Sequence, residues 1–431
     1  MNRLAGDLND RLHNTIVGRQ LSDLGRRMYF PKGIVAQAAE AKSKATKFNA
    51  TVGMAYAEGV PMPLPLINEL TGGLPSAETV AYAPTAGVPA LRDAWKEQML
   101  RKNPDLNGLR TTRPTVVPGL TAGITTIADL FTDAGDVLLL PDLFWGNYRL
   151  IFEERRQVTL QEFAFFNHEG RFDRESFASG ARSAAARGKL TLILNFPNNP
   201  AGFTPGIDDI RFIRDTLVRL AESVSITVIC DDAYYGLFYD DDAYTQSLFT
   251  ELAAAHPNIL AVKVDGATKE DFVWGFRIGF ITLAFDGMTE DHATAVEQKL
   301  TGAIRSLVSN SSMLSQSLLL RAIAHPEYEK QKDDAFRLLR GRYETMKEIL
   351  ATKERDSRAP SLMPLPCNSG YFMSFRCLDV SAEDLRVKLL EKGVGVISVK
   401  DEYLRVAFAG IDRELLPELF EDIFRAAESI A

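Results

Sequence analysis

Several residues able to do chemistry stand just beyond the apolar runs of this 431-residue chain. Lys269 sits in the short loop after "NILAVKVDG" (258–266), and Arg277 leads into "RIGFITLAF" (277–285). After "ITVIC" come Asp231, Asp232, Ala233, Tyr234 and Tyr235. After "LTLILNF" comes the turn Pro197-Asn-Asn-Pro-Ala-Gly202, which holds Asn199. After "DVLLL" comes a loop with Trp145, and after "TVVPG" the pair Leu120-Thr121 opens a helical pattern.

Singly, each has an ordinary reading: a solvated lysine in a turn, a core tryptophan, asparagines suited to turn chemistry. Two are less ordinary. An acid at the end of an apolar strand is costly unless paired. A strand running through Gly119 into a helix start offers an anion free N–H groups and the positive end of the helix dipole. Ligands of open α/β sheets bind outside the carboxyl ends of the strands, so the set converges on one edge. An amine for a carbonyl, a carboxylate for a ring nitrogen, a phenol and an amide for a ring oxygen, an aromatic plate and an anion site are the requirements of pyridoxal phosphate.

The elements that must hold these residues are legible as patterns. The runs at 136–141, 190–197, 226–232, 258–266 and 277–285 are nearly continuous Val, Ile and Leu, as expected for strands covered on both faces. Helical patterns alternate with them: Ile210, Ile213, Leu217 and Leu220 share one face, and Ile124, Ile127 and Phe131 another. This alternation predicts an α/β fold whose large domain has a mostly parallel sheet between helices. From about Met288 the texture changes to long helices, then strand candidates "GYFMSFRC" (370–377) and "YLRVAFAG" (403–410), as in a smaller α+β domain. The expected division is an N-terminal arm with part of the small domain (1–60), a cofactor-binding domain (61–310) and a C-terminal small domain (311–431). Patterning alone leaves open where the first fifty residues pack.

Composition bounds the function. With 46% hydrophobic and 25% charged residues the chain reads as an ordinary globular protein. A net charge of -8 gives no support to nucleic-acid binding. No apolar run is long enough to span a bilayer, and the first residues lack the apolar core of a signal peptide. Cys230, Cys367 and Cys377 are widely spread, with no metal-ligand spacing. A reducing, cytoplasmic setting without structural disulfide or metal is expected. No G-x-G-x-x-G or P-loop follows a strand, which disfavours a nucleotide-binding enzyme.

"NNPAG" (198–202), "DDAYYG" (231–236) and the Lys-x7-Arg-x-Gly spacing (269–279) together resemble the class I/II aminotransferases of fold type I. The likeness runs from "TVGMAY" (51–56) to "YLRVAFAG" and is nearest the aspartate and aromatic aminotransferase branch. It implies pyridoxal 5'-phosphate and a two-stroke exchange of an amino group between an L-amino acid and a 2-oxo acid, passing through pyridoxamine phosphate. Carried over, Lys269 is similar to the Schiff-base lysine that also shuttles the proton, and Asp231 to the pyridinium partner. Tyr234 and Asn199 match ligands of the ring's 3-oxygen, Trp145 the stacking aromatic, and Leu120, Thr121 and Arg277 phosphate ligands. Tyr82 matches a tyrosine reaching the phosphate from the other subunit, which implies a homodimer with shared sites. Arg405 matches the clamp on the substrate α-carboxylate, helped by Asn199, and Gly53 a glycine close to substrate.

Arg305 stands where acid-specific relatives donate an arginine across the subunit boundary to a distal carboxylate, which would favour aspartate or glutamate. A helix-surface arginine is the other reading of that position. There are departures: Gly266 replaces a serine that touches the phosphate, Tyr148 a histidine that supports the aspartate, and Ser311-Ser312 the usual Pro-Pro. A β-lyase or decarboxylase on the same scaffold is the rival activity. A PLP-binding regulatory domain is a further alternative, though residues 1–50 show neither a winged-helix pattern nor a basic run.

Overall fold

The computed structural model describes residues 2–15, 20–29, 33–62, 64–356 and 361–430. Residues 16–19 and 30–32 of the expected N-terminal arm lie outside the described residues.

Seven strands form the main sheet: β1 (Thr115–Val117), β2 (Val137–Pro141), β3 (Thr159–Phe163), β4 (Lys189–Asn195), β5 (Ser225–Asp231), β6 (Ile259–Asp265) and β7 (Gly279–Ala284). Their order across the sheet is β1-β7-β6-β5-β4-β2-β3. Neighbours from β6 to β3 pair in parallel, while β7 runs antiparallel to both β6 and β1. The sheet is therefore mostly parallel, as the pattern predicts. Strand periodicity splits each run between two cores. Leu138, Leu140, Ile193 and Ile229 join Ile124 and Ile127 on one face. Leu139, Leu192, Leu194 and Val228 join Ile210, Ile213 and Leu217 on the other. Burial on both faces is why the runs carry no polar alternation.

The helices that matter for the site are α1 (Arg3–Leu12), α2 (Asp23–Arg27), α3 (Ile34–Lys44), α4 (Pro89–Lys102), α5 (Leu120–Phe131), the single turn α6 (Ala267–Glu270), α7 (Glu290–Leu307) and the long α8 (Tyr328–Asp356). Although the sequence texture changes near Met288, α7 packs into the sheet core through Leu300 and Ile304.

The small sheet has β8 (Leu362–Pro364), β9 (Met373–Cys377), β10 (Ile397–Val399) and β11 (Tyr403–Val406), antiparallel in the order β8-β9-β11-β10. The N-terminal segment touches both halves. Arg27 at the end of α2 donates to the Glu154 carbonyl (2.9 Å) in the π-helical stretch Arg149–Arg155. Gln37 of α3 exchanges two bonds with the Ser398 backbone of β10, and Phe48–Asn49 pairs in parallel with Val394–Gly395.

Candidate active site

A cavity at the carboxyl edge of the main sheet is lined by residues from five loops, among them Thr121, Trp145, Asn199, Asp231, Tyr234 and Lys269. Leu120 and Arg277 also line it, so eight of the sequence-nominated residues meet here. Asn195, Ala233 and Thr268 complete the wall and were not nominated. Asn195 carried a readable signal, since it is a polar residue ending an apolar strand, like Asp231. Thr268 carried none beyond its place next to Lys269.

Two acids end β5, and alternation sends them to opposite faces. Asp232 pairs with the buried amine of Lys263, which also meets Asp265 at 3.1 Å, and accepts the Ser247 hydroxyl at 2.6 Å. Asp232 is thus fully engaged in a structural cluster. Asp231 has no such cation in salt-bridge contact among the described residues. It accepts the Tyr148 hydroxyl and the Ala233 N–H (3.1 Å). Burial pushes its carboxyl above the usual range, and the Tyr148 bond and the Lys269 charge pull against that. Asn195 ties this loop to the next: its amide donates to the Asp231 carbonyl (2.7 Å) and its carbonyl accepts the Asn199 N–H (2.8 Å).

Lys269 rides on α6, and its neighbours fix that turn. Glu270 pairs with Lys102 of α4 and Lys332 of α8, while Asp271 pairs with Lys332 (2.7 Å) and accepts from Tyr328 (2.6 Å). The Tyr371 hydroxyl donates to the Lys269 carbonyl at 2.9 Å. The half-buried amine lies 4.9 Å from the Tyr234 ring centre. Burial lowers its pKa to about 8 and the Arg277 charge adds to that, while Asp231 opposes. A lysine so placed holds a useful fraction of neutral, nucleophilic amine at neutral pH.

The anion end is built around Gly119, which precedes α5 with φ 86°, a region that favours glycine. A Cβ there would lie 2.2 Å from Arg277 Nη2, so glycine is what lets the guanidinium lie against the helix start. Arg277 itself takes a left-handed conformation (φ 53°) and is exposed. The Gly266 departure has a steric reason: a Cβ at this position would meet the Ile278 carbonyl at 2.6 Å, leaving no room for a side chain.

Arg405 of β11 is 2% exposed and makes no ion pair among the described residues. It donates to Asn199 Oδ1 (3.0 Å) and the Thr51 carbonyl (2.8 Å), and its guanidinium stacks 4.3 Å from the Phe372 ring centre. Its Nε has no hydrogen-bond partner among the described residues. Burial lowers its pKa to about 10, with Tyr234 opposing. An uncompensated buried cation held by neutral groups is poised for a carboxylate ligand. Gly53 packs against the same pair of rings, since a Cβ on it would sit 3.3 Å from both Tyr234 Oη and Phe372 Cζ. Phe372 and Thr51 were also missed in the sequence.

Tyr82 and Arg305 are not brought to this cavity. Tyr82 is 93% exposed. Arg305 is exposed at the end of α7 and donates to Ser309 (2.6 Å). Trp145, half-buried, meets Tyr148 edge-on with ring centres 5.5 Å apart.

The set fits a phosphorylated aldehyde with a pyridine ring: a depressed lysine amine, a buried carboxylate without a salt-bridged cation among the described residues, a helix start beside the Arg277 guanidinium and an aromatic wall. The sequence profile described as "Aminotransferase class I and II" matches residues 76–423. The aspartate/prephenate aminotransferase of Thermus thermophilus is 22% identical over 348 residues, covering 78% of this chain and 80% of its own. A protein of Aquifex aeolicus named probable aspartate/prephenate aminotransferase is 25% identical over 367 residues, covering 81% and 84%. The crystal structure of an aminotransferase from Anaerococcus prevotii superposes with a TM-score of 0.81 at 21% identity, covering 94% of this chain and 98% of that one.

Proposed function

The chain belongs to the aminotransferase class I and II family, and from that premise we propose that its cavity exchanges an amino group between an acidic L-amino acid, aspartate or glutamate, and a 2-oxo acid. Membership makes it a pyridoxal-phosphate-dependent transferase. The substrate and the residue roles are our reading.

The bound cofactor supplies an aldehyde carbon for the substrate amine and a protonated pyridine that draws electrons from the substrate α-carbon. Lys269 would hold the cofactor through its amine, and the same amine is placed to take the proton from the substrate α-carbon. Asp231, oriented by Tyr148, keeps the ring nitrogen protonated. Tyr234 and Asn199 would hydrogen-bond the ring oxygen, and Trp145 would cover the ring and keep water from it. The N–H groups of Leu120 and Thr121 and the Arg277 guanidinium would hold the phosphate. Arg405 takes the α-carboxylate in a two-pronged contact, held at the right angle by Asn199 and Phe372. Gly53 leaves room for the substrate beside Tyr234.

The observation that carries this reading is Arg405: a buried guanidinium with no carboxylate partner among the described residues, bonded to an asparagine on the cavity wall. The aspartate names of the relatives and the cation at Arg305 support the acidic side chain. In this reading Tyr82 and Arg305 reach the neighbouring subunit's cavity in a homodimer; their exposure is consistent with that. A fully active monomer in sedimentation would overturn the dimer. The three cysteines are free and buried, which agrees with a cytoplasmic setting. No helix among the described residues is long and apolar enough to cross a membrane.

The test of the substrate is a comparison of amino donors in the wild type and in Arg305→Gln. Aspartate and glutamate should be preferred, and the variant should raise KM for them while leaving aromatic donors unchanged. Equal loss for all donors, or a wild type that prefers aromatic ones, would return Arg305 to a surface role.

A further inference from the structure

The last carbonyls of a helical turn have no partner within it and must find one outside. In α6 the Lys269 carbonyl is one of these. It accepts the Tyr371 hydroxyl at 2.9 Å, while the Phe272 N–H stands farther off at 3.3 Å. Tyr371 is fully buried. Burial raises its pKa well above the usual tyrosine value, so the phenol remains a donor at any working pH.

Tyr371 comes from far along the chain. It belongs to the strap 367–372 that leads into β9 of the small sheet, and this strap is fastened to the loops that wall the cavity. The N–H groups of Asn368 and Ser369 donate to the Gly202 carbonyl (2.9 and 3.0 Å), at the end of the turn that holds Asn199. The Gly370 N–H donates to the Leu237 carbonyl (2.8 Å) and the Gly370 carbonyl accepts the Tyr239 hydroxyl (2.8 Å), in the loop that follows Tyr234. The Tyr371 ring meets the Tyr234 ring edge-on, with centres 5.5 Å apart. Phe372 stacks on Arg405. The strap thereby sets Asn199, Tyr234 and Arg405 relative to one another. Among the described residues the Tyr371 hydroxyl makes its one hydrogen bond to the turn that carries the lysine.

We infer that Tyr371 is a positioning residue for the amino transfer: its hydroxyl pins the main chain of Lys269, so that the amine starts from a fixed point relative to Tyr234 and Arg405. The inference rests on the reading of Lys269 as the reacting amine. Tyr371 itself does not line the cavity. Its bond goes to the carbonyl of the lysine, so it acts on where the side chain begins and not on its charge. The ion pairs of Glu270 and Asp271 hold the α4 and α8 side of the turn, and the phenol holds the Tyr234 side. A small misplacement of a reacting group is costly in rate, which is what such a tie prevents.

Tyr371→Phe keeps the ring and removes only the hydroxyl. Tyr343→Phe is the control, because its buried hydroxyl donates to the Cys367 carbonyl (2.9 Å) of the same strap and not to Lys269. The first readout is amine-selective labelling of Lys269 against pH in cofactor-free protein. Wild type and Tyr343→Phe should share a midpoint near 8. In Tyr371→Phe the turn loosens and the burial that depresses the amine is relieved, so the midpoint should rise toward the ordinary lysine value. The second readout is turnover of the loaded enzyme. Tyr371→Phe should lose about 10-fold in kcat, with KM for the amino donor and affinity for pyridoxal phosphate kept within about 2-fold. An unchanged midpoint or an unchanged kcat in Tyr371→Phe would overturn the inference. So would the same changes in Tyr343→Phe, which would mean a general loosening of the strap, or a loss expressed in KM with kcat intact. A wild type that captures pyridoxal phosphate on a lysine other than Lys269 would instead overturn the reading of the cavity itself.

Discussion

The Tyr148 hydroxyl donates to the carboxylate of Asp231 in an interior where Tyr148 is 1% and Asp231 3% exposed. The partner is a neutral phenol, so no second cation helps to keep this buried acid ionised. The Ala233 N–H and the Lys269 charge are its other supports. With the Lys269 amine engaged by a cofactor, a protonated ring nitrogen would supply that charge. Tyr148→Phe removes a hydrogen bond to a charged group, worth about 1.5–3 kcal/mol. The variant should lower kcat roughly 10- to 100-fold while it still captures pyridoxal phosphate. Unchanged turnover would show that the phenol does not set the state of Asp231.

The amine of Lys269 is pulled from the ordinary 10.5 to about 8 by burial and by Arg277, against Asp231. Labelling of Lys269 in the cofactor-free protein by an amine-selective reagent should therefore rise with pH around a midpoint near 8. Arg277→Gln removes a repelling charge, so the midpoint should move up. Asp231→Asn removes an attracting one, so it should move down. Peptide mapping of the labelled lysine at each pH gives the curve, and shifts of the opposite sign would contradict the electrostatics described.

Arg405 meets Asn199 Oδ1 and the Thr51 carbonyl with two separate nitrogens while its face covers Phe372. Lysine supplies one point charge and cannot reproduce that geometry. Arg405→Lys should cost about 2 kcal/mol or more in kcat/KM for every amino donor, roughly 30-fold. Because the α-carboxylate is common to all donors, the loss should be uniform. A loss confined to acidic donors would mean that Arg405 reads the side chain.

Beneath α6 lies a buried set of charges: Lys332 between Glu270 and Asp271, with Lys102 on the far side of Glu270. It ties the turn that carries Lys269 to α4 and α8. Lys332→Met leaves Asp271, 1% exposed, without its cation. Breaking a buried pair on one side costs about 3–5 kcal/mol. Denaturant unfolding should show a loss of that order, and a change below about 1 kcal/mol would mean that the cluster contributes little.

Much of this was legible in the sequence because the main strands are buried on both faces. Continuous apolar runs marked them, and polar residues in the loops just beyond the runs marked the site edge. Asp231, Asn199 and Lys269 were found that way, while Asn195, which closes a run itself, was passed over. The antiparallel direction of β7 was not legible, since a strand covered on both faces reads the same in either direction. The choice between Asp231 and Asp232 rested on resemblance, because the Lys263 that engages Asp232 is a lone cation inside an apolar run. Phe372 and Thr51 were missed because their contact with Arg405 joins segments far apart in the chain.

The central claim is that this cavity moves an amino group and does so through Lys269. Purified protein loaded with pyridoxal phosphate and given aspartate with no oxo acid acceptor should release one equivalent of 2-oxo acid per chain and then stop. Added 2-oxo acid should restart it, and Lys269→Ala should release none. Continued release of ammonia or carbon dioxide without an acceptor, or full release by Lys269→Ala, would contradict the account.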